Sequence, residues 1–123
     1  MSTWDKSTRQ NLPAEKLTPV VVRTGVVGVS AQKMWDNPSN MPAFAKLFLT
    51  NKSGSPTTFC LYVVEDGGTP SDEDLIAKDV PLNAKETMSY PDGELLLPEF
   101  GELWVSAGAS DSVVAYLQAK YYV

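Results

Sequence analysis

Downstream of Pro19 the chain never holds an apolar stripe at i, i+3, i+4 and i+7 for three turns, and its short apolar runs are cut at close intervals by Gly, Pro, Asn, Asp and Ser. A helix buries one face only through such a stripe, whereas a strand needs only alternation, so the pattern leaves an all-β chain. Seven or eight short strands can be marked out along it. Strands in that number and spacing form a single antiparallel β-sandwich or jelly roll. The 123 residues fit one such domain, because a chain of this size buries about two-thirds of its unfolded surface.

Residues 1–18 read differently. They are polar, contain Pro13, and carry only Trp4, Leu12 and Leu17 as large apolar groups. This is the composition of an N-terminal extended arm preceding a β-sandwich domain at 19–123. A free arm has no use for Trp4, so the indole either anchors the arm on a partner subunit or folds back on its own domain.

Within the domain, Pro19–Val29 reads as a first strand, rich in valine, with Gly25 and Gly28 marking a bulge or bend. Residues 30–42 hold two prolines and the turn cluster Asp36-Asn37-Pro38-Ser39-Asn40, and read as a loop. Met34, Trp35 and Met41 in that loop serve as a flap over the core or as a contact patch. Ala43–Thr50 and Thr57–Glu65 flank a polar, Gly-bearing connection and form a hairpin. In the second of these strands both faces are apolar, which suits a strand in the middle of a sheet, and Cys60 reads as a small buried hydrophobe. Leu75–Leu82 follows, with Pro81 placing its end at a sheet edge. Glu86–Tyr90, Glu94–Leu97, Leu103–Ala107 and Val113–Tyr122 complete the series. The last strand alternates Val113, Ala115, Leu117, Ala119 and Tyr121 against a more polar face, and ends in Tyr121-Tyr122, a residue type favoured where an apolar body meets a polar surface.

Composition narrows the chemistry. There is no histidine and a single cysteine, so His-based triads, His-bearing zinc sites, CxxC motifs and an internal disulfide are all absent. The carboxylates of Asp66, Asp72, Glu73 and Asp74 lack the spacing of a calcium loop and read as a solvated face. Net charge is −5, which repels nucleic acid and anionic lipid. No apolar run approaches the roughly 20 residues of a membrane helix, and Asp5, Lys6 and Arg9 interrupt any signal-peptide core, so a soluble, unexported product is expected. The charge is unevenly placed: residues 1–64 carry 7 basic and 3 acidic side chains, residues 65–123 carry 3 basic and 12 acidic. Such a dipolar molecule stacks head to tail or sits between unlike neighbours, unless the acids are merely a solvated face.

One succession of segments carries more. Leu47-Phe48-Leu49-Thr50-Asn51 leads to Thr58-Phe59-Cys60-Leu61-Tyr62-Val63-Val64. Leu75 to Leu82 then runs into Asn83-Ala84-Lys85-Glu86-Thr87, and Leu95-Leu96-Leu97-Pro98 leads to Gly101-Glu102-Leu103-Trp104-Val105-Ser106-Ala107. Over residues 43–123 this pattern resembles the small β-sandwich structural proteins of tailed bacteriophage particles, with Gly101-Glu102 standing where Gly-Asp is usual. The resemblance implies a non-enzymatic virion component made in the bacterial host cytoplasm and present in many copies. It would be a capsid decoration or cement protein bound to the major capsid protein, or else a tail, baseplate or fibre-attachment protein. A homo-oligomer is expected, with no nucleic acid, membrane, cofactor or metal as partner. The residues expected at the partner interface are Trp4, Arg9 and Leu12 in the arm, Met34, Trp35 and Met41 in the 30–42 loop, and Tyr121 and Tyr122 at the end of the chain. Two other classes stay open: a carbohydrate-binding module stacking sugars on Trp35, Trp104 or Tyr122, and an enzyme using Glu99 and Glu102 as acid and base.

Overall fold

The computed structural model describes residues 17–122, and they form eight strands. These are β1 (Leu17–Val27), β2 (Gln32–Asp36), β3 (Ala43–Asn51), β4 (Thr57–Val64), β5 (Leu75–Leu82), β6 (Thr87–Leu97), β7 (Glu102–Ala107) and β8 (Val113–Tyr122), with one 3-10 turn at Asp72–Asp74. Two four-stranded antiparallel sheets result, ordered β1-β8-β3-β6 and β2-β7-β4-β5.

The order has a simple origin. β4 pairs with β5, β3 with β6, β2 with β7 and β1 with β8, which is one long hairpin with its tip at the β4–β5 connection. Rolling that hairpin adds the β3–β8 and β4–β7 pairings and lays one half over the other. The product is an eight-stranded jelly roll. The chain enters and leaves at one end, since Leu17 lies opposite Tyr122.

Alternation places the core. In β3, Ala43, Ala45, Leu47 and Leu49 point inward and are buried, while Phe44, Lys46, Phe48 and Thr50 point out. In β8 the inward set is Val113, Ala115, Leu117 and Ala119, so Ala45 lies beside Ala119 and Leu47 beside Leu117. Phe59 and Leu61 of β4 and Leu103 and Val105 of β7 fill the facing layer, all of them at most 1% exposed. Each such side chain contributes about 1.5–3 kcal/mol when taken fully out of water.

The bulge expected at Gly25 is a register shift between Thr24 and Val26. Pro81 does sit on an edge strand, β5, where its missing N–H breaks no pairing with a further strand. Other readings need correction. Leu17 and Thr18, read as the end of the arm, pair with Tyr122 and Tyr121 inside the sheet. Residues 30–42 are not all loop: Gln32–Asp36 is a short edge strand on β7, and its own bulge at Met34 hid the alternation. The two segments on either side of Pro91-Asp92-Gly93 are one strand, because residues 91–94 bulge out opposite Lys46 and pairing to β3 resumes on both sides. Cys60 is half-buried on an outer face, where its Sγ lies 3.3 Å from the Asp79 amide and 3.5 Å from the Asp79 carboxylate.

Candidate functional site

The residues singled out from sequence do not gather in one place. Trp4, Arg9 and Leu12 lie outside the described residues. Met34, expected at the partner interface, is 6% exposed and packs in the core, because the β2 bulge turns it inward. Trp35 packs against the same core and meets Tyr121 with ring centroids 6.1 Å apart at 51°. Since Trp35 comes from one sheet and Tyr121 from the other, this half-buried pair, expected as two partner anchors, also packs across the side of the sandwich. Tyr122 is half-buried beside Leu17, and Met41 is 43% exposed on the β2–β3 loop.

That loop is built by one buried amide. Asn37, 1% exposed, donates from Nδ2 to the Met41 and Pro98 carbonyls at 2.8 and 3.0 Å, and its Oδ1 accepts the Ser39 amide at 3.0 Å. The Phe100 amide donates to the Ser39 carbonyl, so the β2–β3 and β6–β7 connections are locked together. Asn51 does the same at the opposite end, tying the β3–β4 turn to the Leu82 carbonyl.

The acid–base pair imagined for an enzyme has another use. Glu102 is 4% exposed and both of its oxygens are engaged. Oε1 accepts the Trp104 indole N–H at 2.9 Å, and Oε2 accepts the Gly67 amide at 2.9 Å with the Lys33 ammonium 3.8 Å away. Burial works against the charge, but these bonds and Lys33 outweigh it and hold the carboxyl below the ordinary glutamate range. Glu102 is therefore a clamp between β7, β2 and the β4–β5 loop. Glu99 stands exposed on the neighbouring turn.

What sequence reasoning missed is the outer face of the β1-β8-β3-β6 sheet. An antiparallel sheet with one face on a core ordinarily offers a polar second face to water. Here the outward row carries Leu17, Val21 and Val26 on β1 at 40, 60 and 41% exposure, and Leu96 on β6 at 58%. Phe48 and Tyr116 meet between them with centroids 6.0 Å apart and rings tilted 57° to one another, and Phe44 lies opposite Leu96. The signal was present as non-polar residues at the outward positions of β1 and β3, but it needed the strand order to become a patch.

A shallow cleft of about 260 Å³ crosses this face, lined by Pro19, Val21, Lys46, Glu94, Gln118 and Lys120 among others. Lys120 pairs with Glu94 at 3.4 Å, and the Lys46 ammonium sits 5.7 Å from the centroid of the Phe48 ring. The arrangement offers no nucleophile with an adjacent base. It offers apolar area with two cations at its centre, which is binding chemistry.

No protein-family profile matches the chain, and neither does any curated protein. Solved structures do resemble it. The infectious bursal disease virus VP2 subviral particle superposes with a TM-score of 0.53 at 10% identity, over 88% of this chain and 33% of that one. The crystal structure of the IBDV viral particle gives 0.52 at 10% identity, over 88% and 32%. A Bacillus endospore appendage structure gives 0.48 at 14% identity, covering 88% of both chains. The chain thus spans about one third of the viral chains it matches. At these identities the likeness to the two viral structures is one of fold alone.

Proposed function

We propose that this chain is a non-enzymatic structural protein of a virus particle, which works by burying the outer face of its β1-β8-β3-β6 sheet against neighbouring proteins. The observation that carries the reading is that face: a sandwich with a complete core of its own still exposes Leu17, Val21, Val26 and Leu96 together on one sheet. Patches of that kind on a folded domain mark association sites. The shared fold with the capsid chains of infectious bursal disease virus supports a capsid-type setting. The bacteriophage resemblance over residues 43–123 supports the finer reading, a decoration or cement protein on the head of a tailed phage, with the major capsid protein as partner and with several copies per particle.

Gold-labelled antibody to the protein, applied to tailed particles from a lysate, tests this. Label over the heads is the expected result. Label confined to tails moves the protein to the tail or baseplate, and absence from particles overturns the virion reading altogether.

A further inference from the structure

The cleft on the outer sheet face and the acidic β4–β5 loop are complementary, and a single copy is unable to join them. The cleft holds Lys46 and Lys120 amid Pro19 and Val21, with Glu94 paired to Lys120 at 3.4 Å, so that its net charge is positive and Lys46 is its cation without an acid beside it in the cleft. The loop presents Glu65, Asp66, Asp72 and Glu73, all exposed, and none of the four forms an ion pair among the described residues. Ile76, two residues beyond it on β5, is 37% exposed, so carboxylates lie beside an apolar group.

The loop is held in shape. The Gly67 amide is fixed on buried Glu102, the Gly68 amide on the Glu65 carbonyl, and the Asp74 carboxylate caps the Ser71 amide. It belongs to the β2-β7-β4-β5 sheet, whereas the cleft opens on the outside of the other sheet, with the whole core between them. Stacked sheets stand about 10 Å apart, so the loop does not reach around to its own cleft.

We infer that the cleft takes the 65–74 loop of a second copy of this chain, giving a head-to-tail contact between Lys46 and Lys120 of one molecule and the loop carboxylates of the next. The inference rests on the multi-copy structural role proposed above and names one contact of that assembly. The cleft carries two lysines against the single acid Glu94, so two copies meeting face to face would bring two net-positive clefts together. Two meeting loop to loop would set acid against acid, whereas the head-to-tail arrangement sets a net-positive cleft against a wholly acidic loop. A contact of this type uses two different patches, so each copy keeps one free patch at either end, and the array closes into a ring or extends.

Sedimentation of the purified full-length protein at low and high salt tests the contact. The wild-type protein should associate at low salt and dissociate as salt rises. Reversing the face (Lys46→Glu with Lys120→Glu) or the loop (Asp72→Lys with Glu73→Lys) should weaken association by more than about tenfold. Mixing the two reversed variants should restore it, since acidic face then meets basic loop and the remaining patches still match. Lys46→Ala with Lys120→Ala, checked by circular dichroism, separates loss of contact from loss of fold. A wild-type protein that is monomeric at every salt, reversed variants that associate like wild type, or a mixture that stays monomeric would each overturn the inference. Gold label over particles from a protein that is monomeric in solution would overturn the self-contact alone and leave the virion role standing.

Discussion

Glu102→Gln keeps the shape of a buried side chain and removes only its charge, so it isolates what the carboxylate does. A glutamine amide has one acceptor oxygen and one donor NH2. Whichever way it turns, it sets an N–H against either the Gly67 amide or the Trp104 indole, both of which now donate to the carboxylate at 2.9 Å. One charge-assisted bond is lost and the other becomes neutral, which comes to about 2 to 3 kcal/mol at neutral pH. For a domain of this size that lowers Tm by about 8 to 12 °C. The pH dependence is a second, independent reading. The folded-state pKa of Glu102 is depressed, so as pH falls the unfolded chain takes up the proton first. The stability tied to the charge is therefore complete above the ordinary glutamate pKa and is lost as pH drops through the lower, folded value. Urea unfolding followed by circular dichroism, on wild type and variant at neutral pH and in acid below the glutamate range, should show a gap that closes in acid. A gap under about 0.5 kcal/mol at neutral pH, the size of an ordinary surface substitution, would refute the clamp. So would a gap that does not change with pH.

Asn51→Ala strips the Ser55 and Leu82 carbonyls and the Ser53 amide of their partner, at a cost of about 2 to 4 kcal/mol, and an unshifted urea midpoint would show that water replaces the amide. Gly101→Ala sets a Cβ 2.8 Å from the Pro98 ring carbons and 3.0 Å from its carbonyl, inside a turn closed by the Gly101 amide on that same carbonyl. The strain should lower stability by about 1 to 3 kcal/mol in thermal unfolding, and a neutral result would mean that the turn opens freely. Trp35→Ala removes packing against Tyr121 and the core, and should cost about 3 kcal/mol or more while the folded fraction still binds particles. A variant of wild-type stability that no longer binds would return Trp35 to the role of partner anchor.

These predictions fall on residues whose roles were unequally visible in the chain. Val113 to Tyr122 alternates strictly, and its inward set is the buried set found in β8. The β3–β4 hairpin, the β1 bulge at Gly25 and the edge position of Pro81 were legible in the same way, because each follows from a side-chain period of two or from the geometry of a single residue. Gly101 was visible as the first residue of the Gly101-Glu102 pair in the phage-like pattern, though its need to be glycine comes from the Pro98 ring pressing on it.

By contrast, Met34 and Trp35 looked like loop residues because the β2 bulge breaks their alternation, and only pairing with β7, almost seventy residues on, draws them inward. Cys60 looked buried because both faces of β4 are apolar, and only the placement of β4 in its sheet shows which of them meets the core. Glu102 was visible only as one of two turn acids, paired with Glu99, among 15 acidic residues. Its burial depends on a loop that folds over it from β4. That the chain is all β, roughly where most strands run, and which residues of each alternate could be read from the residues alone, since those properties are local. The tertiary structure alone decided which strands became neighbours, and so whether an outward valine stood singly in water or joined Leu17, Phe48 and Leu96 in one face. Strand neighbours in a rolled hairpin are set by contacts between distant segments, and no short-range period records them.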